Sequence, residues 1–135
     1  MLKYAGAYAT IIVVMVVIDL LWIGVIAKPL YQQGIGHLMA ERPNMLVALL
    51  FYLVFAVGLL VFAVAPGGAS ADWGKTALTG ALFGLVAYAT YDLTNLATLK
   101  NWPVGLALLD MAWGSLVSAV SAFAGKAVLD RLGAA

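Results

Sequence analysis

The chain has 135 residues, 65% of them hydrophobic and only 10% charged, too few charges to cover a water-soluble domain, so it is built for lipid. Its net charge of +1 forms no basic stripe, which argues against nucleic acid as a partner. With no cysteine and a single histidine, His37, disulfides, thiolate metal sites, multi-histidine metal sites and bis-histidine haem within one chain are excluded.

Apolar runs follow in chain order, each near the roughly 20 residues that a bilayer-spanning helix needs. The first covers 4–27 and stops at Lys28-Pro29. Lys3 gives it a basic start, but its length and Asp19 argue for a retained helix over a cleaved signal peptide. The segment that follows, "KPLYQQGIGHLMAERPN", carries Leu30, Tyr31, Ile35, Leu38 and Met39. It is too apolar for a free loop, and a short interfacial segment lying on the membrane is expected, with His37 in it. The second run, 45–65, lies between "ERPN" and "PGGASADWG". The third covers 75–99 and the fourth 104–126, the latter followed by a short charged tail.

The expected fold is therefore all-α: a polytopic membrane protein with four transmembrane helices in one bundle, forming a single domain over 1–135. An even number of spans places both termini on one side. Lys3, Lys75, Lys126 and Arg131 then face Lys28, Arg42 and Lys100 across the membrane, a slight bias toward cytoplasmic termini. Trp73 and Trp102, near helix ends, are expected as interfacial anchors. Gly80 and Gly84 form a GxxxG step, read as close helix packing.

Glu41, Asp72 and Asp130 fall in expected loops or the tail. Asp19, Asp92 and Asp110 fall inside helices. At about 1.5 Å per residue they lie roughly 13, 12 and 10 Å below the first-loop side, and Tyr52 on the second helix lies roughly 12 Å down. Three carboxyls at one level should converge in the bundle interior, because an acid facing lipid costs about 2.5–3.5 kcal/mol. Tyr88, Asp92 and Asn95 share one face of the third helix, with Tyr91 and Thr94 beside them. "DLLW" and "DMAW" each set an indole, Trp22 and Trp113, one turn from a carboxyl. Three ionised carboxyls this close would repel, so a proton or a cation is expected among them. Lys28, Arg42 and Lys100 lie on the same side and suit lipid headgroups. No metal set and no cofactor is specified by this pattern.

"IDLLWIG", "KPLY", "YATYDLTNLATLKNWP" and "DMAWGS" together resemble the bacterial membrane-protein family known as domain of unknown function 2177, across essentially the whole chain. The resemblance implies a four-helix protein of the bacterial cytoplasmic membrane and carries over no catalytic residues. Three function classes remain. The chain binds or transports a small or lipid-like ligand with proton or cation coupling. Alternatively it is a membrane enzyme, or an enzyme subunit, acting on lipid acyl chains. Or it is a non-catalytic subunit of a larger membrane complex. Membrane lipids are expected partners, and the short helices favour a homodimer or a hetero-complex.

Overall fold

The computed structural model describes residues 1–66 and 72–134. Every regular element among them is helical. Helix α1, Leu2–Leu21, continues as a π-helical turn, Trp22–Ile26. A short helix α2, Lys28–Ile35, and a 3₁₀ turn, Gly36–Leu38, lead to α3, Met45–Leu59, which also ends in a π-helical turn, Leu60–Val64. Helices α4, Trp73–Thr98, and α5, Val104–Ala134, complete the fold.

The boundaries have local causes. Pro29 sits in the first turn of α2, where its missing N–H costs nothing. Asn44 caps α3 by accepting from the Val47 N–H at 3.2 Å, and Asp72 caps α4 by accepting from the Gly74 N–H at 3.1 Å. Between α4 and α5, Asn101 takes φ 59°, a left-handed conformation that asparagine tolerates better than most residues. Pro103 then directs the chain into α5.

Three helical stretches are long and apolar enough to cross a membrane: Leu2–Ile26, Met45–Val64 and Val104–Ala134. Helix α4 has 26 residues but is diluted by Tyr88, Tyr91, Asp92 and Asn95 and falls short of that apolarity. The last helix departs from expectation. It runs on to Ala134, so Asp130 and Arg131 are helical rather than part of a tail. Lys126, expected at the membrane surface, is fully buried and pairs with Asp130 at 2.6 Å. The i, i+4 spacing makes that pairing available as soon as the helix continues. The two tryptophans expected as anchors also make contacts within the protein. Trp73 donates to Asp130 at 2.6 Å, tying the start of α4 to α5. Trp102 is buried against the Tyr91 ring, edge to face at 5.8 Å.

Helix α5 is the hub, packed along α4 and against α1. The helices are apolar all round, so a hydrophobic face cannot choose the interior, and residue size does so instead. Small residues sit at the contacts. A Cβ on Gly80 would come within 2.6 Å of the Ala122 Cβ and 2.9 Å of the Ser118 carbonyl, so only glycine permits this approach of α4 to α5. The GxxxG step is thus a packing device. Ile11, Met15, Leu59, Val64 and Val117 fill the remaining core. Helix α3 packs on α1, and its π-helical end meets α4 and α5. Its earlier turns stand away from α4, and that gap matters for the site.

Candidate functional site

The three intrahelical carboxyls are all withdrawn from the surface: Asp19 is 3% exposed, Asp92 1% and Asp110 8%. Asp19, near the end of α1, accepts two hydrogen bonds. Trp113 Nε1 of α5 donates to its Oδ1 at 2.8 Å, and the Tyr52 hydroxyl of α3 donates to its Oδ2 at 3.0 Å. Asp110, near the start of α5, accepts at Oδ1 from the Tyr31 hydroxyl of α2 at 2.6 Å. Asp92 of α4 lies beside Asp110, close enough for the two carboxyls to interact. Two carboxyls this close repel when both are ionised, so a proton or a cation between them would relieve the pair.

The tryptophans join these two groups in a way their spacing did not suggest. Each lies one turn from a carboxyl on its own helix, yet neither donates to that carboxyl. Trp113 serves Asp19, and Trp22 donates to the Tyr31 hydroxyl at 3.2 Å, which serves Asp110. The two indoles stack between the groups, centroids 4.3 Å apart and planes 6° from parallel. The i+3 pairing read from "DLLW" and "DMAW" is corrected to an exchange across helices. A helical side chain leans back over the preceding turn, but a buried N–H takes whichever acceptor the neighbouring helix presents.

Tyr31 was missed as a site residue. Its only sequence signal is a hydroxyl among the apolar positions of the first loop. Helix α2 folds back so that this hydroxyl enters the bundle. Burial pushes the Tyr31 phenol above its ordinary range, and donation to Asp110 acts in the same direction. Asn95, expected in the cluster, is half-buried and joins none of these hydrogen bonds. The Thr94 hydroxyl turns back to the carbonyls of Thr90 and Tyr91 on its own helix. Lys28, Arg42 and Lys100 are exposed at this end of the bundle and do not reach the carboxyls. Among the described residues the donors to Asp19 and Asp110 are two neutral phenols and one indole.

Tyr88 and Tyr91 do not hydrogen-bond to the carboxyls, but they shape the space beside them. The Tyr88 ring covers Gly114, where a side chain would displace it, and meets Phe55 edge to face at 6.1 Å. Tyr88 and Tyr91 line a cavity of about 480 Å³ together with Tyr31, Phe51, Phe55 and Asp110. Ile23, Ile35, Met39 and Ala87 complete its wall. It occupies the gap where α3 stands away from α4, with α2 across one end. Its outer residues Ile23, Met39, Phe51 and Tyr91 are exposed, whereas Phe55 and Asp110 are buried. The cavity thus opens sideways, and its inner wall carries a carboxyl. Its size lies within the roughly 300–1,000 Å³ of small-molecule sites. Among the described residues no group of three or more His, Asp or Glu side chains is arranged to hold a metal ion.

Neither a curated protein nor a solved structure matches the chain. A family model described as "Predicted membrane protein (DUF2177)" matches residues 4–127, nearly the whole sequence. With apolar helices long enough to cross a bilayer and this match from end to end, the chain belongs to the DUF2177 family of predicted membrane proteins.

Proposed function

We propose that this protein crosses the membrane four times and binds a small or lipid-like amphipathic ligand, which enters sideways from the bilayer. The apolar part of the ligand would fill the cavity between α3 and α4, and its polar end would meet Asp110, with Asp92 beside it. The observation that carries this reading is the lateral opening itself. An aromatic-lined space of about 480 Å³ faces the side of the bundle and ends at a buried carboxyl.

The membrane arrangement follows from the same packing. Helix α4 is roughly 39 Å long, more than the roughly 30 Å hydrocarbon core. Asp92, its one mid-helix charge, is buried on the α5 side, so the outer face that α4 offers to lipid is mainly apolar. Helix α2 would lie at the interface and cover the end of the cavity. A proton held by the two neighbouring acids would exchange when a charged ligand arrives or leaves, coupling binding to protonation.

The test is native mass spectrometry of the protein taken from its own membranes into nanodiscs, compared with Ala87→Trp, in which the indole fills the cavity. A bound amphipathic species on the wild type and its loss from the variant are expected. Identical bound species on both proteins would refute the reading.

A further inference from the structure

We infer that the ligand of this cavity is a lipophilic cation: an apolar body carrying one positively charged nitrogen. This rests on the cavity reading above and adds the charge of the ligand to it.

The first support is the charge balance of the interior. Asp19, Asp92 and Asp110 converge in one region, and among the described residues no lysine, arginine or histidine pairs with them. Lys126 lies 16 residues further along α5, roughly 24 Å away, and is paired with Asp130. The described residues supply hydrogen-bond donors to Asp19 and Asp110 but no countercharge. The Asp92 Oδ2 atom is buried without a hydrogen-bond partner, so no described residue satisfies it.

The second support is the wall. Five aromatic rings, those of Tyr31, Phe51, Phe55, Tyr88 and Tyr91, line the space beside Asp110. Aromatic faces carry the negative end of the ring quadrupole and attract a cation within about 6 Å. A carboxyl among such rings is complementary to an ammonium group and repels an anion. A neutral chain would fit the apolar wall, yet would bury Asp110 without giving it a countercharge, which is unfavourable.

The third support is the closeness of Asp92 to Asp110. Two ionised carboxyls there would repel, so a proton and a ligand cation would compete to neutralise the same pair. The titratable groups facing the pair are Asp19 from α1, Tyr31 from α2, Tyr52 from α3, and Tyr88 and Tyr91 from α4. None of them brings a positive charge. Arrival of the cation therefore releases the proton, and departure of the cation recovers it.

The experiment measures binding of three probes of equal chain length to the full chain in nanodiscs, with empty nanodiscs subtracted. The probes are decyltrimethylammonium, decanol and decanesulfonate. The cation should bind saturably and about tenfold or more tighter than decanol, and the anion should show no saturable binding. Cation affinity should rise with pH by up to about tenfold per unit while the proton is being displaced. Asp110→Asn should weaken the cation at least about tenfold. Asp92→Asn, which removes the second carboxyl and its titration, should flatten the pH dependence of cation binding. Decanol binding equal to the cation's, and abolished by Ala87→Trp, would overturn the charge assignment and leave the cavity reading standing. No saturable binding by any probe would overturn both.

Discussion

Trp113→Phe isolates the one bond that crosses directly between the ends of the network. The indole N–H donates to Asp19 Oδ1 at 2.8 Å, and the ring stacks on Trp22 at 4.3 Å. Phenylalanine keeps an aromatic ring but has no donor. Tyr52 still serves the other oxygen of Asp19 at 3.0 Å, so one acceptor atom is orphaned in a residue 3% exposed. Hydrogen bonds between membrane helices average about 0.6 kcal/mol and reach about 1.7. An orphaned buried acceptor costs about 1–3 kcal/mol. A complete aromatic pair contributes about 0.5–1.5 kcal/mol, of which the smaller ring keeps a part. Loss of the donor therefore outweighs loss of stacking, and the two together should cost about 1–3 kcal/mol, a shift in the folding constant of roughly fivefold to 150-fold.

Reversible unfolding in mixed micelles, followed by the helical circular dichroism signal, measures that loss. A double-mutant cycle with Asp19→Leu separates the hydrogen bond from the stack, since only the bond needs both partners. A coupling energy of about 1 kcal/mol or more is expected. A coupling within about 0.3 kcal/mol of zero, the usual additivity error, would refute the reasoning. Asp19 would then gain nothing from Trp113, and the network would reduce to ring packing.

The glycine seam and the alkaline behaviour give two further checks. Gly84→Leu forces a side chain into the Ser118 side chain and the Gly114 carbonyl and should cost at least the upper part of roughly 1–3 kcal/mol. Gly105→Leu, with nothing within 4 Å of the new Cβ, is the control, expected within about 0.5 kcal/mol of wild type; equal unfolding midpoints for the two variants would contradict the packing. Because the folded protein raises the Tyr31 phenol above its ordinary value of about 10, it favours the protonated form. The associated stability is fully present below about pH 10 and is lost as pH rises beyond it. Tyr31→Phe should therefore unfold with a shallower pH dependence than wild type above about pH 10, and superimposable profiles would count against the buried Tyr31–Asp110 bond.

The amino-acid sequence by itself determined the solvent, the helices and the depth of the acids. Lipid cannot satisfy a bare backbone, so runs of this length must be helical. Prolines and short polar caps then mark their ends locally, as Asn44 and Asp72 do. The depth of Asp19, Asp92 and Asp110 follows from the fixed rise of a helix, which needs no knowledge of neighbours. The GxxxG seam was legible for a similar reason, since only small residues allow backbones to meet. The partners of those acids belong to the tertiary structure. Helices that are apolar all round give no moment that says which face turns inward. Thus "DLLW" and "DMAW" looked self-contained, while the fold crosses their donors between helices. The same gap hid Lys126, whose burial depends on α5 running on beyond it. Tyr31 entered the site only because α2 folds back over the bundle, a choice made by packing rather than by propensity. The cavity was the least legible feature, because it has no residues of its own. It exists where α3 stands away from α4, and that separation is set by how three other helices hold α3, not by any spacing along the chain.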